Sequence, residues 1–172
     1  MAGAVRARLA AGPARGLGCA NAVAAEALTS PPLVAELVDA LSDKRGVVVV
    51  RAANALKKIQ AQKAELVAPF AKKILRAGMG CDELFAQWSL ALVVGGLPLK
   101  GRDKALAVEL MFEWLRSESG LLRTLAMQAL VDLSAEDLAL RRRVRPIVEE
   151  FRENGTPAMR ARARKLWPLV RG

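Results

Sequence analysis

The nonapeptide VVVRAANAL at 48–56 decides the fold, because its outline returns three times at a spacing of 37: FAQWSLALV at 85–93, LRTLAMQAL at 122–130 and MRARARKLW at 159–167. Val48, Phe85, Leu122 and Met159 form an apolar column, and four residues later Ala52, Ser89, Ala126 and Ala163 form a column of small side chains. Ala55, Leu92, Ala129 and Leu166 follow, and beside them Leu56, Val93, Leu130 and Trp167. Steps of four, three and one put all four columns on one face of an α-helix. Ala or Ser at the centre of such a face lets two helix backbones approach closely while larger neighbours fill the flanks. Leu at Ala126 would overpack it.

A second set at the same spacing, Leu37, Ile74, Met111 and Val148 with Ala40, Ala77, Trp114 and Phe151, marks a preceding helix in each unit. Between the two helices fall Asp43, Gly80, Ser117 and Asn154, all turn formers. Each unit is therefore a pair of helices, and a repeat of this length implies stacked pairs. Ser30 before Pro31 and Thr156 before Pro157 read as N-cap and first helical residue, Ser134 with Asp137 resembles a capping box, and Asn154-Gly155 is a helix stop. Nine helices are predicted, near 14–28, 31–42, 46–62, 66–77, 82–95, 102–116, 119–133, 135–153 and 157–170.

Composition agrees. The 172 residues are 53% apolar and 26% charged, with 4% aromatic and no Tyr, an inventory rich in helix formers and poor in strand builders. One domain over 14–172 is expected behind a flexible stretch at 1–13, with 14–28 a capping helix and repeats near 31–62, 66–96, 102–133 and 135–170. The start, with Arg6, Arg8 and Arg15 and no acid before Glu26, has the composition of an organelle transit peptide as well as of an Ala- and Arg-rich frayed end. No apolar run is long enough to span a membrane, so the chain reads as soluble. Cys19 and Cys81 form no CxxC, which fits a reducing, cytoplasmic setting.

The segments VVVRAANALKKI at 48–59, LLRTLAMQALVDL at 121–133 and PAMRARARKL at 157–166 resemble the second helix of HEAT repeats, which commonly carries Val-Arg followed by Ala and Ala-Leu. Pro32 and Pro69, themselves 37 apart, fall in first helices, where HEAT repeats often carry proline. The likeness covers roughly 31–170 and suits a small bacterial-type HEAT-repeat domain. It implies an all-α, right-handed α-solenoid of antiparallel helix pairs, armadillo-like, and a role as scaffold or binding surface without a particular reaction. The second unit departs from the pattern, with Ala86 and Gln87 where an Arg is expected and Gly95-Gly96 where the helix should continue.

In such a solenoid the second helices line the inner surface. The expected protein-contacting residues are Arg51, Asn54, Lys58, Gln87, Trp88, Thr124 and Gln128, amides and cations around one large aromatic, a composition common at binding hot spots. Trp88 also has a plainer reading, as filler at the position of Arg51, Leu125 and Arg162.

The net charge of +10 is uneven: residues 141–172 hold ten Lys or Arg against three Glu, whereas 31–140 are nearly balanced. Arg141, Arg142, Arg143 and Arg145 open one helix, and Arg160, Arg162, Arg164 and Lys165 decorate the last. Clustered guanidinium groups neutralise closely spaced phosphates, so nucleic acid or another polyanion is the alternative partner. DNA alkylation-repair glycosylases of HEAT-like architecture hold duplex DNA on a basic solenoid, but no position here matches a catalytic motif of theirs. An Arg-rich terminal repeat kept polar for solubility is the bland account, and eighteen Arg to nine Lys fits a compositional bias.

Catalysis is not expected. Without histidine the chain lacks the commonest general base and metal ligand. Gly95-Gly96 has no phosphate-loop spacing, and the adjacent acid pairs 82–83, 136–137 and 149–150 point to different sides of a helix. Neither catalytic residue, metal, cofactor nor small-molecule substrate is predicted.

Overall fold

A computed structural model describes residues 3–172 and is all-helical, with no strand among them. The chain divides into two compact units, the first ending at Leu99 and the second running Lys100–Gly172.

The first unit begins with a helix where a flexible stretch was expected: α1, Ala4–Ala10, buries Val5 and Leu9. Met1 and Ala2 lie outside the described residues. The helix expected at 14–28 is confined to α2, Ala20–Ala27. Gly16 and Gly18 explain the late start, because both take positive φ, +89° and +49°, and interrupt any helix through them. α3 follows at Pro31–Ala40 and α4 at Gly46–Gln62, the latter with the bounds read from sequence. The segment expected at 66–77 is broken into α5, Ala64–Val67, a 3₁₀ turn at Ala68–Phe70, and α6, Ala71–Met79. Pro69 is the cause, since it lacks the N–H that a continuous helix would need there. α7, Leu84–Gly95, completes the unit and ends at Gly95-Gly96 as the glycines foretell.

α4 is the axis of this unit, packing against α1, α2, α3 and α7. The small column is buried in this unit, Ala52 wholly and Ser89 nearly so, and residues 51–56 of α4 are all buried. Leu37 and Ile74 of the first-helix column are also wholly buried. Burying side chains of that size contributes about 1.5–3 kcal/mol each.

The second unit comprises α8, Gly101–Trp114; α9, Gly120–Leu133; α10, Leu138–Asn154; and α11, Pro157–Val170. α9 packs against α8, α10 and α11, and α10 packs along α11. The starts of α9, α10 and α11 are capped from the side chain: Ser119 Oγ accepts from Leu122 N, Asp137 Oδ1 from Leu140 N, and Thr156 Oγ1 from Met159 N. Asp137 is therefore itself the N-cap of α10. Ser134, expected to open a capping box, instead ends α9, and its hydroxyl donates to the Val131 carbonyl at 2.7 Å. Met111, Leu122, Ala126, Ala129, Leu130, Val148, Met159, Ala163 and Leu166 are buried as the register requires.

Four register positions depart from expectation: Phe85 is exposed, and Ala77, Leu92 and Trp167 are half-buried. Phe85 is 58% exposed while its neighbour Ala86 is wholly buried, so the inward face of α7 begins one residue later than in α4. Trp167 is only half-buried, for a reason that belongs to the basic region.

Candidate functional site

The expected protein-contacting face is largely closed. Arg51 is 0% exposed and does not face solvent. Its Nη1 donates to the carbonyls of Leu9 at 2.7 Å and Ala11 at 2.8 Å, its Nε to Gly16 at 3.1 Å, and its Nη2 to Pro13. The chain's own N-terminal segment thus occupies the position foreseen for a partner. Asn54, one turn on, is buried with its Oδ1 unpartnered, and Lys58, a further turn on, donates to Asn21 Oδ1 of α2.

In the second unit Thr124 is likewise buried, because its hydroxyl turns back to the Gly120 carbonyl at 2.7 Å. Arg51, Asn54 and Thr124 are therefore corrected from surface to interior. Gln128 stays half-buried and is bound at both ends, donating to Asp132 at 2.9 Å and accepting from Arg162 at 3.1 Å.

Gln87 and Trp88 are half-buried on α7. Gln87 Nε2 donates to the Cys81 carbonyl at 2.8 Å, and Trp88 meets the exposed Phe85 edge-on, with ring centroids 4.7 Å apart. A cleft of about 320 Å³ lies beside them, between the α3–α4 and α6–α7 turns. It is lined by charges of both signs, among them Lys44, Arg76, Asp82 and Glu83. Burial pushes the Cys81 thiol there above its ordinary range, which opposes nucleophilic use at neutral pH.

The α10–α11 pair collects the cations, and the structure sorts them. Arg141 is used internally: its Nη2 donates to the Ala135 carbonyl just past the end of α9, where a cation meets the negative end of the helix dipole. Arg143 lies over the Phe112 ring at 4.9 Å, and Arg162 is tied to Gln128. Arg152 stacks on Trp167 at 4.1 Å, and Arg145, seven residues before it, reaches the same ring at 5.6 Å. That pair of contacts is why Trp167 sits half-exposed.

Arg142, Arg160, Arg164 and Lys165 make no hydrogen bond or ion pair with any described residue, and all but the half-buried Arg160 are exposed. The acids of this pair do not neutralise them. Glu149 and Glu153 approach Arg152, at 3.9 and 3.5 Å, and Glu150 accepts from Asn154 at 2.8 Å.

Helical spacing orders what remains. Arg160, Arg164 and Trp167 follow one another by four and three along one stripe of α11, with Arg171 just past its end, and Arg142, Arg145, Glu149 and Arg152 by three, four and three along α10. Sequence reasoning missed Trp167 and Arg152 as members of this surface. The available signal was the spacing of seven between Arg145 and Arg152, which puts both on one side of α10. Its chemistry is that of clustered positive charge, suited to phosphate or sulfate groups.

No protein-family model matches the chain, and neither a curated protein nor a solved structure matches it.

Proposed function

We propose that this chain is a non-enzymatic binding module whose α10–α11 pair holds a polyanion, nucleic acid, through its phosphate charge. The observation that carries the reading is the set of four cations, Arg142, Arg160, Arg164 and Lys165, left without partners on two neighbouring helices while nearby acids are engaged elsewhere. Arg160 and Arg164, one turn apart on the same stripe of α11, repel each other unless an anion answers them. The consecutive pairs α3–α4, α6–α7, α8–α9 and α10–α11 are proposed to be HEAT-like repeats of antiparallel helices, on the recurrence at 37 and the buried small column. A cytoplasmic setting fits the two free cysteines, and no helix among the described residues is long and apolar enough to cross a membrane.

The test is binding of labelled nucleic acid followed by anisotropy over a range of salt. Each phosphate contact adds about −0.9 to the slope of log affinity against log salt, so Arg160→Gln with Arg164→Gln is expected to flatten the slope by about two. No binding at low salt sinks the proposal.

A second reading, a protein partner, has one specific observation in its favour: Phe85 on α7 is a large apolar side chain left 58% exposed. Phe85→Gln separates the two readings. It leaves polyanion binding unchanged if α10–α11 is the site, and the reverse pattern, loss with Phe85→Gln and none with the arginine variants, transfers the function to α7.

A further inference from the structure

Resting on the polyanion reading, we infer that the ligand of the α10–α11 pair is double-stranded nucleic acid, held by its backbone without regard to sequence. Proteins that hold single strands combine a basic groove with open aromatic faces, because unpaired bases need a surface on which to stack. The second unit contains four aromatic side chains, Phe112, Trp114, Phe151 and Trp167, and none offers such a face. Arg143 covers Phe112 at 4.9 Å, Arg123 covers Phe151 at 5.2 Å, and Trp114 is buried in the core.

Trp167 decides the matter, because it alone lies within the cationic stripe. Its ring carries the guanidinium of Arg152 at 4.1 Å and that of Arg145 at 5.6 Å. Arg152 is itself drawn toward Glu149 and Glu153, which holds it in place over the ring. A base seeking to stack there must first displace a paired guanidinium. A duplex keeps its bases stacked on one another and presents only phosphates and groove edges, so it asks nothing of Trp167.

The polar side chains point the same way. Reading an adenine edge in a groove calls for the amide of Asn or Gln. Between 138 and 170 there is no Gln, and the single Asn, Asn154, donates to Glu150 at 2.8 Å. Arg160 and Arg164 lie one turn apart on α11 with Lys165 beside them, and Arg142 stands on α10, a spread of charge that suits contacts to a phosphate backbone, which carry no sequence information.

The experiment compares the full chain binding to a labelled 20-base-pair duplex, to each of its separated strands, and to a second duplex of unrelated sequence, all in one low-salt buffer. The duplexes are expected to bind equally and about tenfold or more tighter than either strand, since a duplex carries twice the phosphate density. Single strands binding as tightly as the duplex overturn the inference while leaving the polyanion reading intact. A preference between the two duplexes overturns the claim of backbone-only contact. Absence of binding to every probe overturns this inference together with the reading beneath it.

Discussion

Arg51 carries a full charge into the interior with no carboxylate beside it. Its charge is met by four main-chain carbonyls, two of them, Leu9 and Ala11, at the C-terminal end of α1, where the helix dipole is negative. Arg51→Met leaves those carbonyls without donors and is expected to lower unfolding free energy by about 3 kcal/mol, read by urea titration. Arg51→Lys should recover only part of this, since an ammonium has three donors on a point charge and lacks the planar fork. If the methionine variant unfolds at the wild-type midpoint, the clamp is not holding the segment.

Asp43 is the second such residue. Hydrogen bonds from the Arg45 guanidinium and backbone N–H hold its carboxyl far below the usual carboxylate range, with Arg6 Nε a further 3.9 Å contact. A depressed folded pKa means stability that is present above the unfolded value, about pH 4, and lost as pH falls below it. Asp43→Asn should therefore melt lower than wild type by a constant margin above about pH 5, with the gap closing in acid. Thermal melts across that range check it, and a gap that widens in acid contradicts it. Neither residue's role was legible in the sequence. Arg51 lies on one flank of the apolar columns of α4, where a solvated cation is ordinary, and nothing in the spacing says that residues 9–16 fold back over it.

At the scale of the element, much was legible, because the alternation of large and small side chains is a property of each helix alone. The bounds of α4 and α11 were read correctly from period and caps. The small column carries a sharp expectation: Ala126 is wholly buried where α9 meets its neighbours, so Ala126→Leu should cost about 1–3 kcal/mol by overpacking, whereas the same change at exposed Ala139 on α10 should be near neutral. Equal melting of the two variants would remove the small column from the account. Thr156 caps α11 through Met159 N, and Thr156→Ala should cost about 1 kcal/mol, with Thr156→Ser restoring most of it in the same denaturation assay. What the element pattern hid was placement. α7 repeats the composition of α4 yet turns Ala86 rather than Phe85 inward. Its start lies close against that of α4: a Cβ on Gly46 would come within 1.9 Å of the Glu83 carboxylate, so the approach is set by a glycine on the other helix.

Over the whole molecule, the charge was legible in amount and in chain position, but its availability was not. Ten cations in residues 141–172 are a fact of the sequence, whereas which of them are spent on Phe112, Trp167 or Gln128 depends on neighbours brought together by packing. The composition adds one more expectation. With no histidine, the side chains that ordinarily titrate between pH 5 and 8 are missing, so the positive field of the protein changes little across that range. The exception to watch is Asp132, whose carboxyl is raised because local desolvation outweighs the Gln128 bond and the Arg162 charge, even though the residue as a whole is exposed. At fixed salt, affinity for a duplex should vary by no more than about twofold between pH 6 and pH 8 while falling steeply with salt. Anisotropy titrations at both pH values measure it. Binding that strengthens markedly toward pH 6 would mean that a carboxylate is losing its charge beside the site, and if Asp132→Asn then abolishes the effect, Arg162 belongs among the ligand-binding cations and the flat field does not.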